Sequence, residues 1–324
     1  MILVCGGAGY IGSHMVYRLI EDGKDVCVVD NLSTGFEKAV HKEAKFYKGD
    51  IRNDELMDQV FSENPIESVV HFAASSQVGE SVQKPLKYYD NNVNASLQLI
   101  KSMLRNNVYN IVFSSTAAIF GNVEAMPITE DTPKNPTSPY GETKLAIEKM
   151  LDWTSRVTDL NYVALRYFNV AGAHHTSKIG EAHNPETHLI PIVLQVGLGK
   201  RDKIFIFGDD YNTKDGTCVR DYIHVEDLAD AHVLSLKYLK EEKKSNVFNL
   251  GNGEGFSVKE IIDSSRKVTE KEIPAEMADR RPGDPDNLIA SSERIKAVLG
   301  WEPKYANVED IIDSAWQWHL NSRY

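Results

Sequence analysis

Along the first 170 positions, apolar residues fall into short continuous runs separated by longer amphipathic stretches. The runs Met1–Cys5, Asp25–Val29, Lys45–Lys48, Ser68–Phe72, Asn110–Ser115 and Tyr162–Tyr167 have strand length, while Gly12–Glu21 and Ala95–Asn106 carry helical spacing. Such alternation predicts crossovers and a mostly parallel sheet with a helix layer on each face. Runs as continuous as "SVVHF" and "NIVFSS" suit strands buried on both sides. Past Gly172 the pattern breaks. The polar stretch "AHHTSKIGEAHNPETHLIP" reads as loop, and shorter elements follow, among them "KIFIFG", "VFNLGNG" and a last helix near Val308–His319. The break predicts a doubly wound α/β domain over residues 1–173 and a smaller mixed α/β domain over 174–324. Segments around 222–250 are expected to return and complete the first sheet.

Composition narrows the partners. The chain has 324 residues, enough for two domains, with 42% hydrophobic and 26% charged positions. Its net charge is -11 and it has no block of basic residues. That balance argues against nucleic acid or an anionic membrane surface as partner, but permits a phosphate-bearing small molecule in a local pocket. Three cysteines without paired spacing argue against a disulfide framework or a structural zinc site. No metal is expected. The opening "MILVCGGAGYIG" is too short an apolar run for a signal peptide, and no run approaches membrane-spanning length, so a soluble cytoplasmic protein is expected.

Candidate chemistry begins at the first strand. Gly6, Gly9 and Gly12 form G-x-x-G-x-x-G between that strand and the next helix. Glycines there permit a tight turn, close backbone approach to a pyrophosphate, and close helix–strand packing. By itself the pattern fits a packing turn equally well. The second strand, however, ends in Asp30, eighteen residues after Gly12, where a carboxylate accepts bonds from an adenosine ribose and repels a 2′-phosphate. This Rossmann-type arrangement predicts NAD rather than NADP. "GDIRN" would then put Asp50 and Ile51 beside the adenine, and "HFAA" (His71–Ala74) would let backbone approach the ligand. His71 itself reads as a buried, satisfied histidine.

The fifth run ends in Ser114, Ser115 and Thr116, hydroxyls that either meet a substrate oxygen or cap a neighbouring turn. In "PYGETK", Tyr140 and Lys144 stand four apart at a helix start and so share a face. A free phenol with its pKa near ~10 is a poor base at neutral pH. A nearby ammonium and a positively charged nicotinamide would lower it toward the range that acid–base work requires.

The glycine loop, Asp30, Thr116 and Tyr140-x-x-x-Lys144, in this order, resemble the extended short-chain dehydrogenase/reductase superfamily. The closer resemblance, through nearly the whole chain, is to the UDP-glucose 4-epimerase family. It is carried by "GGAGYIGSH", "DNLSTG", "VGESVQKPLKYYDNNV", "FSSTAAIFG", "PYGETKLAIEKML", "RYFNVAGA", "DGTCVRDYIHVEDLADAH" and "RRPGD". The resemblance implies an NAD site made of Gly6, Gly9, Tyr10, Ile11, Gly12, Asp30, Asn31, Asp50, Ile51, Phe72, Ala73, Ala74, Asn91, Ser114, Tyr140, Lys144 and Tyr167. It makes Tyr140 the acid/base at the sugar 4-hydroxyl, with Thr116 on the same oxygen and Lys144 on the nicotinamide ribose. Asn169, His188, Leu189, Phe207, Arg220 and Asp284 would hold the UDP, and Leu288 would gate the sugar. The implied reaction is redox-neutral: C4 is oxidised by NAD, the keto sugar turns, and C4 is reduced on its other face.

Three departures stand out. Ser76 and His188 occupy positions where many members have lysine and asparagine. Leu288 falls where a tyrosine accompanies plain hexoses and smaller residues accompany N-acetylated ones, so acceptance of UDP-N-acetylglucosamine is expected. Ala117 and Ala118 stand where related 4,6-dehydratases carry an Asp-Glu pair, which argues against dehydration. Uronate epimerases and decarboxylases remain open, and so does a non-enzymatic NAD sensor, although the latter should lack the Tyr-Lys pair. The resemblance also implies a homodimer through helices of the first domain. The apolar spacing in "NASLQLIKSML" and "LAIEKML" suits this and core packing alike.

Overall fold

A computed structural model describes residues 1–281 and 284–324; Pro282 and Gly283 of the "RRPGD" motif lie outside the described residues. In chain order the first half runs β1 (Ile2–Cys5), α1 (Tyr10–Glu21), β2 (Val26–Asp30), β3 (Lys45–Lys48), α2 (Asp54–Glu63), β4 (Ser68–His71), α3 (Val78–Gln83), α4 (Pro85–Tyr88), a π turn (Tyr89–Asn94), α5 (Ala95–Arg105), β5 (Asn110–Thr116), α6 (Pro139–Ser155) and β6 (Asn161–Tyr167). There follow β7 (Asn169–Ala171), α7 (Leu189–Gly197), β8 (Ile204–Phe207), β9 (Val219–His224), α8 (Val225–Glu242), β10 (Asn246–Leu250), β11 (Gly255–Ser257), α9 (Val258–Thr269), β12 (Ala275–Ala278), β13 (Asn287–Leu288), α10 (Glu293–Leu299) and α11 (Val308–Leu320).

Seven strands form one parallel sheet in the order β10-β6-β5-β4-β1-β2-β3. The alternation of side chains along each strand builds both faces of its core. Ile2 and Val4 of β1 pack with Met15 and Leu19 of α1 and Leu228 and Leu239 of α8. Leu3 and Cys5 point the other way, toward Met57 of α2, Leu99 of α5 and Ile147 and Leu151 of α6. The strand order reverses between β1 and β4, and the crevice beyond the carboxyl ends of those two strands is where such sheets bind ligands.

The remaining strands and α7, α9 and α11 assemble beside this sheet around Ile190, Leu194, Ile261, Ile311 and Trp316. Here β9 pairs with β7, β11 and β13, and β8 pairs with β12. Of the segments around 222–250 expected to complete the first sheet, α8 and β10 pack on it, whereas β9 belongs to the small sheet. Among the described residues, no helix is long and apolar enough to cross a membrane.

Candidate active site

At the β1–α1 turn, two glycines are demanded by the protein's own packing. Gly6 has φ +83, and a Cβ there would stand 2.6 Å from Ala73 N; one on Gly12 would stand 2.1 Å from Gly6 O. Gly9 differs, since its Cβ would meet only Gly6 O, at 3.4 Å. It leaves open space at the head of α1, whose cap makes no side-chain hydrogen bond and whose first turn has no acidic residue. The N–H groups of that turn, at Tyr10, Ile11 and Gly12, and the positive end of the helix are thus available to an anion. This cradle fits a dinucleotide pyrophosphate.

Asp30 is nearly buried and ties the turn together. Its Oδ2 accepts from Ala8 N at 2.9 Å and its Oδ1 from Leu32 N at 2.8 Å. Burial pushes its pKa up while those two backbone bonds oppose the rise. Each carboxylate oxygen keeps a lone pair for a ribose hydroxyl. Asp50 accepts from Asn31 at 3.2 Å and from both Nε and Nη2 of Arg52, at 2.9 and 2.7 Å. The Arg52 fork holds the Asp50 carboxyl down at about 2. Ile51 is buried beside it. Across the crevice, Phe72 and Ala73 donate their N–H groups to Cys5 O, which holds the segment entering Ala74 against the glycine turn.

The reactive end lies at the close of β5. Ser138 caps α6 by accepting from Gly141 N at 3.2 Å, and Pro139 occupies the first helical position, so Tyr140 enters the helix at a set angle. Tyr140 is buried; burial raises its pKa and a hydrogen bond with Thr116 lowers it. Thr116 Oγ1 accepts from Ala118 N at 3.2 Å, so the strand-end hydroxyl also caps a turn. The Lys144 ammonium donates to Ser114 O at 2.7 Å and lies 6.0 Å from the centre of the Tyr140 ring. In this state it does not bond the phenol. Burial brings its pKa down to about 7, against the pull of Glu148. Ser114 Oγ bonds the Tyr167 hydroxyl. Asn91 donates to Ser75 Oγ at 3.1 Å.

Sequence reasoning missed the groups that hold this arrangement. Arg166 clamps Glu148 through Nε and Nη2 at 2.9 and 2.7 Å, and Ser115 Oγ donates to the same carboxylate. Asn92, fully buried, accepts from Ser75 N and donates to Thr143 Oγ1 at 3.1 Å, while Thr143 donates to Tyr140 O at 2.8 Å. The available signal was Lys144-x-x-x-Glu148, a second helical step on the face that carries Tyr140. His71 is buried, with Nε2 on Ser96 Oγ at 2.8 Å, and its pKa is lowered to about 3 by burial.

A cleft of about 440 Å³ opens beside these groups and brings together Asn169, His188, Leu189, Phe207, Arg220 and Asp284. Arg220 and Asp284 pair with each other at 2.5 Å, and Tyr211 donates to the second Asp284 oxygen at 3.2 Å. The Arg281 guanidinium lies 4.0 Å from the Phe207 ring centre. Arg201, Lys203 and Arg281 also line the cleft, giving it the cationic wall that an anionic ligand needs. Tyr140, Thr116 and Leu288 do not line it. Leu288 aligns with Arg220 in the β13–β9 pairing and packs with Ile119, Phe120 and Leu145 next to the Thr116 turn.

An anion-ready helix start, a buried tyrosine–threonine pair and a cationic cleft on a doubly wound sheet define an enzyme that uses a dinucleotide to work on a phosphate-bearing alcohol. The model of the NAD dependent epimerase/dehydratase family matches residues 2–251, and the chain belongs to that family. It is 57% identical to the UDP-glucose 4-epimerase of Halalkalibacterium halodurans (strain C-125) over 98% of this chain and 95% of that one. A crystal structure of a UDP-glucose 4-epimerase superimposes with a TM-score of 0.98 at 58% identity, covering 99% of this chain and 98% of the other. Another, from Brucella ovis in complex with NAD, gives 0.95 at 43% identity over 97% of both chains.

Proposed function

We propose that this chain is an isomerase that interconverts UDP-galactose and UDP-glucose at the sugar C4, using tightly held NAD. The observation that carries the reading is the buried Tyr140, whose pKa the Thr116 hydroxyl lowers, in a chain with a cationic cleft and with Ala117 and Ala118 offering no second acid–base pair. NAD bound along Gly9, Asp30 and Lys144 supplies a reversible hydride acceptor for C4. Tyr140 takes the 4-hydroxyl proton and later returns it, and Thr116 orients that oxygen by sharing a hydrogen bond. Arg220 and Arg281 hold the diphosphate, Arg220 exchanging Asp284 for phosphate oxygens. Phe207, Asn169, His188 and Leu189 anchor the uridine side. With UDP held firmly and the hexose loosely, the sugar can present either face.

Leu288 extends the proposal. Leucine at the sugar end leaves space that a tyrosine ring would fill, so UDP-N-acetylglucosamine is accepted as well. The exposed apolar residues Val82, Leu86 and Trp153 on α3, α4 and α6 support a second copy of the chain as partner, giving a homodimer. The functional division is residues 1–173, completed by segments around 222–250, for NAD and 174–324 for the UDP-sugar, in a protein that works in the cytoplasm. The test is an NMR time course of UDP-galactose with NAD-loaded protein: UDP-glucose should accumulate, and its absence would overturn the reading.

A further inference from the structure

The polar segment before α7 holds a cluster of which the proposed reaction engages only His188, at the edge of the cleft. Within eight residues, Glu181, His183, Glu186 and His188 each turn one ligand atom toward a common point, all within 4.8 Å of one another. Glu181 Oε1 lies 2.9 Å from His183 Nδ1 and 2.8 Å from His188 Nδ1. Glu186 Oε1 lies 2.8 Å from His188 Nδ1, and its Oε2 lies 3.9 Å from His183 Nδ1. Atoms arranged tetrahedrally about a zinc ion at ~2.0–2.1 Å stand ~3.3–3.4 Å apart; three of these separations are shorter, at hydrogen-bond length, and one is longer, so an ion would enter by exchanging the hydrogen bonds and moving the atoms by about half an ångström.

The surroundings fit a cation. The Glu181 and Glu186 side chains are only 5% and 4% exposed, so two carboxylates are withdrawn from water side by side. Such a pair needs positive charge close at hand. The frame is rigid: Trp318 Nε1 donates to Glu181 O at 2.9 Å, and Gly180 lies so close to the Trp318 indole that a Cβ would meet it at 2.3 Å. The buried Nε2 of His319, on the same helix, has no hydrogen-bond partner among the described residues.

We propose that Glu181, His183, Glu186 and His188 bind one divalent transition-metal ion, zinc by ligand type, in a closed four-ligand structural site. The ion pins the 174–188 segment between two parts of the active site. His183 meets the Tyr10 ring of the cofactor turn edge-on at 6.2 Å, and His188 precedes α7 in the wall of the cleft. The sequence carries the signal as E-x-H-x-x-E-x-H, which a search for paired cysteines passes over. The rival is a pair of imidazolium–carboxylate bridges without metal.

Metal content separates the two. Full-length protein without a polyhistidine tag is stripped with EDTA, given zinc, desalted, and analysed by mass spectrometry and thermal unfolding. One zinc per chain should remain, and EDTA should lower the unfolding midpoint. His183→Ala and Glu186→Gln should each weaken zinc binding by more than the ~10–100-fold typical of outer-shell changes, and EDTA should leave their midpoints unmoved. If either variant fails to fold, wild-type stoichiometry and its EDTA shift decide the question. Less than a tenth of an equivalent of zinc on wild type, or equal retention by folded variants, would overturn the site.

Discussion

Replacing Glu148 by glutamine tests whether the clamp behind the active site is a true buried ion pair. The Arg166 and Glu148 side chains are 3% and 7% exposed, and the guanidinium makes two bonds to the carboxylate. Glutamine keeps the volume and one acceptor but leaves the Arg166 charge in the interior, with Glu130 O at 3.2 Å as its other acceptor. Removing one partner of such a pair costs about 3–5 kcal/mol, and the retained amide oxygen places this case near ~3 kcal/mol. Urea unfolding followed by circular dichroism at pH 7.5 should show the midpoint falling by about 1 M, for a slope near ~3 kcal/mol per molar. The joint variant E148L/R166L removes both charges, so most of the stability should return, less ~1 kcal/mol for the orphaned Ser115 hydroxyl. A loss below ~1 kcal/mol for Glu148→Gln, or no recovery in the joint variant, would refute the ion-pair account.

Tyr140→Phe keeps the packing and deletes the proton, so kcat should fall about 10²–10⁴-fold with UDP binding retained; a loss under tenfold would remove Tyr140 from the acid–base role. Lys144 has a folded pKa of about 7 against an ordinary 10.5. Between those values the unfolded chain binds the extra proton, so this group adds stability as pH rises. From pH 7.5 to 9 the wild type should gain about 2 kcal/mol relative to Lys144→Met in urea titrations, and parallel curves would contradict the burial argument. Leu288→Tyr should depress turnover of UDP-N-acetylglucosamine at least ~10-fold while sparing UDP-glucose, as a pocket contact of one or two kcal/mol allows; equal effects on both would exclude Leu288 as the gate.

What the sequence revealed, and what it hid, follows from the range of each interaction. The first six strands of the large sheet match the apolar runs to within a residue, and in β1, β2, β4, β5 and β6 burial on both faces writes itself into consecutive positions. The glycine turn was legible through the Gly6–Gly12 spacing, where a Cβ on Gly12 would meet Gly6 O, although the contact that demands Gly6, with Ala73, is as distant in the chain as any pairing that spacing hides. Pairings across long separations were not. Arg220 and Asp284 are 64 residues apart, and nothing in their spacing shows that the fold pairs them with each other in the cleft wall. Lys144 shows the same limit at short range. Its spacing from Tyr140 correctly places both on one face, but β5 puts the Ser114 carbonyl nearer to the ammonium than the phenol is. Burial therefore raises the pKa of the phenol, and Thr116 rather than the lysine opposes that rise.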